Sequence, residues 1–152
     1  MLDENLTASG GCHCGAVRFE VRGKPDFVGC CHCNDCRRST GAPITIYPTF
    51  PETKVNFTTG ERKRYESSPG AYRTFCSDCG TSLTYEAFWN GSVVVGVHIS
   101  TLDEPERFPP DKHVFDCDRI SWFDVSDNLP RFHTVPGKDK PVRHGPISKT
   151  ET

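Results

Sequence analysis

The sequence predicts a mainly β fold in one domain, with one or two short helices. Three observations carry this expectation. Leu and Ala together number only ten, whereas Val reaches 12 and Phe 10 among 152 residues, a balance that suits pleated strands better than helices. Residues 16–22 alternate, with Val17, Phe19 and Val21 on one face and Arg18, Glu20 and Arg22 on the other, the period of a half-buried strand. Asn90-Gly91 stands between two strand-like runs, where it signals a hairpin turn.

In chain order, the alternating strand at 16–22 is followed by strand candidates at 25–30, 44–50, 54–57, 63–66 and 72–75. A helix of a turn or two is expected at Asn34–Thr40, closed by Gly41. Runs 81–86 and 92–100 form the two arms of the hairpin, and the continuously apolar stretch from Val93 to Val97 predicts a central strand covered on both faces. A second helical signal begins at Thr101, where Asp103, Glu104 and Pro105 suit a first turn. Short strands are expected at 113–115 and 121–125. From Thr134 the chain carries prolines, glycines and charges without periodicity. The domain is therefore read as 1–152, with a core of about 10–133 and a flexible or surface-wrapping tail over 134–152.

Counting its 13 glycines with its 35% apolar residues leaves the chain slightly below the ordinary globular share of about 45–50%. Something besides apolar burial is expected to help hold the fold. Basic and acidic residues, 18 and 20, are mixed along the chain for a net charge of -2, which argues against nucleic-acid or membrane partners. The one basic run, Arg62-Lys63-Arg64, is diluted by Glu61 and Glu66 and reads as a solvated face. The N-terminus lacks the charged and apolar regions of a secretory signal, and no segment approaches the roughly 18 apolar residues of a membrane span. A soluble cytoplasmic protein is expected.

Nine cysteines depart furthest from ordinary composition. In a reducing compartment, clustered cysteines are metal ligands or redox groups more often than disulfides, and an odd count opposes a fully paired framework. Three clusters stand out: Cys12-His13-Cys14-Gly15, Cys30-Cys31-His32-Cys33-Asn34-Asp35-Cys36 and Cys76-Ser77-Asp78-Cys79-Gly80. A Cys-x-x-Cys turn followed by glycine lets two sulfurs meet one ion, with the glycine free to adopt the left-handed conformation. Cys76 and Cys79 supply two ligands, and structural zinc usually takes four. The other pair is either Cys12 and Cys14 or two members of the middle cluster. If it is Cys12 and Cys14, then Cys31, Cys33 and Cys36 remain as three ligands, the number that catalytic zinc usually keeps. Cys30 or Cys117 could equally close that second site. Buried unligated thiols, an iron-sulfur cluster or a Cys33/Cys36 redox pair are the competing readings.

Four stretches together resemble the glutathione-dependent formaldehyde-activating enzyme family, also called the centromere protein V / formaldehyde-activating family, of the Mss4-like fold. They are Gly11-Cys12-His13-Cys14-Gly15-Ala16-Val17-Arg18-Phe19; Cys31-His32-Cys33-Asn34-Asp35-Cys36-Arg37-Arg38 with Gly41-Ala42; Phe75-Cys76-Ser77-Asp78-Cys79-Gly80-Thr81; and Lys112-His113-Val114 with Trp122 and Leu129-Pro130-Arg131-Phe132. The likeness runs from about Gly10 to Phe132. It implies a small β-sheet assembly pinned by two zinc ions: a structural one on Cys12, Cys14, Cys76 and Cys79, and a catalytic one on Cys31, Cys33 and Cys36. Cys30 and Cys117 fall outside that pattern and read as packing residues.

The activity so implied is that of a zinc-dependent carbon-sulfur lyase or thiol-adduct enzyme. Its substrates would be glutathione or a similar thiol and formaldehyde or another small aldehyde. The family prototype is the synthase-type reaction that gives S-(hydroxymethyl)glutathione. Three thiolates make zinc a modest Lewis acid suited to a soft ligand such as a substrate sulfur. Arg37 and Arg38, directly after the third proposed ligand, are expected to attract carboxylates of a peptide-like thiol, unless they pair with a local acid such as Asp35. His32 and His13 lie between ligands and are not favoured as ligands themselves, and His113 reads as a hydrogen-bonded core histidine. Two alternatives belong to other classes. One is a non-catalytic, zinc-stabilised binding module of the same fold. The other is a redox enzyme of the methionine sulfoxide reductase B type using Cys117, whose neighbours Asp116 and Asp118 oppose nucleophilicity.

Overall fold

The computed structural model describes residues 3–137 and 140–147. They gather into two compact units: the described residues up to Val28 with Tyr47–Pro109, and Gly29–Ile46 with the described residues from Pro110 onward. The chain passes from the first to the second within strand β3 (Phe27–Cys31) and back within β4 (Thr45–Pro51). The protein is mainly β, as its composition predicts.

In the first unit, β1 (Thr7–Gly11), β2 (Arg18–Arg22) and β5 (Val55–Thr59) form an antiparallel sheet with β2 in the middle. The alternation read from the sequence holds: Phe19 and Val21 are fully buried, while Arg18, Glu20 and Arg22 are not. β1 was not foreseen, because its Thr-Ala-Ser-Gly-Gly sequence carries no apolar period. Its glycines instead permit close packing, since a Cβ on Gly10 would lie 2.5 Å from the Phe19 ring. Four more strands, β6 (Arg62–Ser68), β7 (Ala71–Cys76), β8 (Ser82–Trp89) and β9 (Ser92–Val97), make an antiparallel meander that continues from β9 onto β4.

The hairpin predicted at Asn90-Gly91 is present. Trp89 pairs with Ser92, and both turn residues have positive φ, 49° and 86°, as a type I′ turn requires. β9 is central between β4 and β8, yet only Val95, Gly96 and Val97 are buried. It ends at Val97 rather than 100, in a single 3₁₀ turn at Ile99–Thr101. The helical signal from Thr101 likewise yields only one 3₁₀ turn, Pro105–Arg107. Rings pair within this core, Phe19 with Phe57 at 5.6 Å and Phe50 with Phe108 at 6.3 Å.

The second unit holds the helix at its expected position, α1 (Asn34–Thr40), closed by Gly41 at φ 65°. β10 (Lys112–Val114) runs parallel to the end of β3, pairing His113 with Cys30, and β11 (Pro130–Arg131) runs parallel to β10. The expected strand at 121–125 is not formed. Arg119 Nη1 donates to the carbonyls of Ile120, Ser121 and Phe123 at 3.0, 3.1 and 3.1 Å, which curls the chain and removes those acceptors from any ladder. Within the segment 134–152, β12 (Arg143–His144) pairs antiparallel to β11, and Arg143 meets Asp116 at 2.8 Å. Residues 138–139 and 148–152 of that segment lie outside the described residues. No described helix is long and apolar enough to cross a membrane.

Phe19 is fully buried against Phe57 and the Gly10 backbone. Phe19→Ala should therefore destabilise the protein by about 3–5 kcal/mol, read by chemical denaturation. A loss below about 1 kcal/mol would mean that this face is not a packed core.

Candidate metal centres

Two tight turns carry the outer thiols. The N–H of Cys12 donates to the Val17 carbonyl at 3.0 Å and that of Gly15 to the Cys12 carbonyl at 3.1 Å. The second turn repeats the device, with Cys76 N–H to the Thr81 carbonyl at 3.0 Å and Gly80 N–H to the Cys76 carbonyl at 2.9 Å. Gly15 and Gly80 sit at φ 81° and 75°, which a side chain would strain. His13 N–H donates to Thr81 Oγ1 at 3.0 Å and ties the turns together. The sulfurs converge: Cys12 to Cys14 is 3.5 Å, Cys14 to Cys76 is 3.8 Å, and all four with Cys79 lie within 4.8 Å of one another. The partners of Cys76 and Cys79 are thus Cys12 and Cys14.

The middle cluster forms where a strand gives way to a helix. β3 ends on Cys31, and Cys33 is the N-cap of α1, its Sγ accepting the Cys36 N–H at 3.2 Å. A thiol here fills the role usually taken by Ser or Asp. The first helical turn brings Cys36 back to the same side, so that the sulfurs of Cys31, Cys33 and Cys36 lie within 4.8 Å of one another. Cys31 and Cys36 are buried and Cys33 is partly so. Neither Cys30 nor Cys117 contributes a sulfur to this set. Burial pushes the Cys30 thiol up to about 12. Cys117 is exposed, 3.7 Å from the Asp118 carboxylate, and its thiol is raised by desolvation and by that charge.

The charges decide what such clusters can hold. The sulfurs of Cys33 and Cys36, with burial adding to them, drive the Cys31 thiol upward. Like charges this close cannot all ionise unless a cation is shared among them. Backbone N–H groups already point at sulfur, from Val17 to Cys12 at 3.2 Å, Asp78 to Cys76 at 3.4 Å and Cys36 to Cys33. Soft donors in sets of four and three fit zinc, whose structural sites take four ligands and whose catalytic sites take three. None of the nine cysteines is in a disulfide.

His32, between two of these cysteines, leads into a buried chain of polar groups that sequence reading did not connect. His32 Nε2 lies 2.8 Å from His113 Nδ1, His113 Nε2 lies 3.0 Å from Asp127 Oδ2, and Arg131 Nη1 donates to Asp127 Oδ1 at 2.7 Å. His32, His113 and Arg131 are fully buried. Burial, with the neighbouring His113 next, holds His32 down at about 4. His113 was visible as a core histidine, but its partners lie 81 and 14 residues away and no period links them. Arg37, read from the sequence as a carboxylate anchor, donates to the carbonyls of His32 and Asp118, each at 3.1 Å. Arg38 is exposed and reaches only Asn34 Oδ1, at 3.4 Å. Among the described residues, neither is in an ion pair with Asp35.

Residues 7–118 match the model of the family described as glutathione-dependent formaldehyde-activating enzyme, a span that includes all seven clustered cysteines. A Schizosaccharomyces pombe protein named "Uncharacterized lyase" is 28% identical over 123 residues, covering 81% of this chain and 88% of that protein. A Halomonas elongata protein named "Putative glutathione-dependent formaldehyde-activating enzyme" is 27% identical over 132 residues, covering 79% and 82%. A crystal structure of a Rhodobacter sphaeroides protein superposes with a TM-score of 0.53 at 28% identity, over 62% of this chain and 87% of that one.

Burial opposes ionisation of Asp127, but hydrogen bonds from His113, Arg131 and the Leu129 N–H outweigh it and hold the carboxyl at about 2, below its ordinary 3.8. A carboxyl lowered in the folded state stabilises above the unfolded value and ceases to do so as pH falls through the folded one. Asp127→Asn should cost about 2 kcal/mol at neutral pH, and the gap to the parent should close between pH 4 and about 2. A gap that persists unchanged to acid pH would assign the loss to packing instead.

Proposed function

The chain belongs to the glutathione-dependent formaldehyde-activating enzyme family, and from that premise we propose that it is a zinc-dependent carbon-sulfur lyase of the S-(hydroxymethyl)glutathione synthase type. The observation that carries the reading is the contrast between a four-sulfur and a three-sulfur cluster in one chain. Cys12, Cys14, Cys76 and Cys79 would hold a structural zinc, complete with protein ligands. Cys31, Cys33 and Cys36 would hold the second. Zinc on three thiolates supplies a position for a substrate sulfur and favours the thiolate over a free thiol of pKa about 8.5. The net reaction adds the S–H of a thiol across the C=O of a small aldehyde, or reverses that addition. No electrons are gained or lost.

The protein's own residues prepare the site. Cys36 N–H stabilises negative charge on Cys33. Hydroxyls of Ser39, Thr40 and Thr45 converge on the Cys36 carbonyl at 3.1, 2.8 and 3.3 Å, fixing the turn that presents its sulfur. Arg38, exposed beside the cluster on α1, suits a carboxylate of glutathione. Arg37, by contrast, braces the His32 and Asp118 carbonyls, and its part in substrate binding would be through that bracing. The raised thiol of Cys117 speaks against a sulfoxide-reductase chemistry, which needs a ready thiolate. Nine cysteines without a disulfide suit a reducing compartment such as the cytoplasm.

Elemental analysis of anaerobically purified protein should find two zinc ions per chain. X-ray absorption at the zinc edge should show the averaged shell gaining sulfur when glutathione is added. Two zincs that already have four sulfurs each, unaffected by glutathione, would point instead to a non-catalytic binding module. Cys36→Ser should abolish thiol-aldehyde adduct formation while the chain stays folded. Cys79→Ser should unfold the protein, because structural zinc contributes on the order of 10 kcal/mol. Equal loss of folding in both variants would contradict this division between the clusters.

A further inference from the structure

His32 follows Cys31 and precedes Cys33 along the chain, two of the three cysteines whose sulfurs converge, and is gripped from three directions. Its N–H donates to the Val114 carbonyl at 3.1 Å, its own carbonyl accepts Arg37 Nε at 3.1 Å, and its ring Nε2 meets His113 Nδ1 at 2.8 Å. The polarity of the ring contact follows from the far end of the chain. The Asp127 carboxylate can only accept, so His113 donates from Nε2; its Nδ1 then accepts from His32 Nε2 when both rings are neutral. Asp127 is itself fixed by Arg131, a fully buried guanidinium that also donates to the Leu129 and Val125 carbonyls, each at 2.8 Å. The result is a directional line from a rigid anchor to the residue that separates Cys31 from Cys33.

We propose that His113, its Nδ1 left as acceptor by the Asp127 carboxylate at Nε2, is a positioning residue which, acting through His32, holds the sulfurs of Cys31 and Cys33 at the spacing one metal ion needs. The inference rests on the reading of the three-sulfur cluster as a zinc site. The segment needs such a device. Cys31 closes a strand and Cys33 opens a helix, so the β3–β10 ladder reaches His32 through its N–H to Val114 and then stops. Turning His32 about its backbone would swing the Cα–Cβ bonds of both neighbours. Outer partners of metal sites usually orient a ligating histidine; here the carboxylate–imidazole pair orients the backbone between two thiolate ligands. Packing alone gives no account of the line, since His32 Nδ1 is left buried without a partner, a burden that an apolar ring of the same size would not carry.

Two substitutions separate direction from bulk. In His113→Asn the carboxamide reaches where Nδ1 stood and can still accept from His32. In His113→Gln it reaches toward Asp127 and no longer serves His32, although the side chain is larger. The zinc-loaded full chain is titrated with a competing chelator, and the cobalt(II) form is followed through its thiolate charge-transfer absorption, with the four-sulfur site as internal reference. His113→Gln should weaken the three-sulfur site by about 10- to 100-fold and alter its cobalt spectrum. His113→Asn should lose much less, and the four-sulfur site should not change in either. The proposal is overturned if His113→Gln binds as the parent does, if His113→Asn is the weaker of the two, or if both sites weaken together. A parent protein that takes up only the four-sulfur zinc would remove the zinc-site reading itself, a failure visible before any substitution is made.

Discussion

Sulfur atoms brought within 4.8 Å of one another must stay protonated or share a cation, and much of this structure is organised around that constraint. In the first unit the two turns that deliver Cys12, Cys14, Cys76 and Cys79 are joined by His13 N–H to Thr81 Oγ1 and by backbone donation from Cys14 to the Cys79 sulfur. Residues more than sixty positions apart in the chain also meet through their sulfurs. A cation there would cross-link the loop before β2 to the loop after β7, supplementing a core whose apolar share is modest for its length. In the second unit the same repulsion acts among three thiols, two of them buried, and the Cys36 N–H donates to Cys33 Sγ and offsets part of it.

The second unit also shows how a fold can bury charged and polar side chains when most of their polar atoms find partners. His32, His113 and Arg131 are buried completely, a condition that costs several kcal/mol for an unpaired charge. Arg131 avoids the cost by donating to Asp127, Leu129 and Val125, while Asp124 lies 3.5 Å away. Asp124 in turn collects Arg143 and the backbone N–H of Ile147. A network of this kind is directional where an oily core is not. It specifies where the strand-to-helix junction sits, and with it the three thiols on that junction.

On the proposed function, the division of roles between clusters follows from where each is built. A four-thiol set on two turns, with Cys14 and Cys79 exposed, would be complete with protein ligands and would serve the fold. A three-thiol set on the first turn of a helix, with Cys33 partly exposed, has only three protein donors and suits exchange with a thiol from solution. Formation of a carbon-sulfur bond without redox change asks for a soft, accessible position and little else in the way of cofactor.

The residues alone were enough to establish the β character, the Asn90-Gly91 hairpin, the bounds of α1 and the three thiol clusters, because each is a local signal: a period of two, a turn that demands positive φ, a glycine cap, a short ligand spacing. They also narrowed the clusters to two partitions. Tertiary structure decided between those, since the choice of Cys12 and Cys14 as partners of Cys76 and Cys79 is a long-range contact that no spacing encodes. It also revealed β1, β11 and β12, whose small, short or polar strands acquire their pairing only from neighbours. The same holds for Arg119, which curls residues 121–125 out of a strand, and for the line from Arg131 through Asp127 and His113 to His32. Hydrogen bonds between residues distant in sequence leave no periodic trace along the chain, and they become legible only once the fold has brought donor and acceptor together.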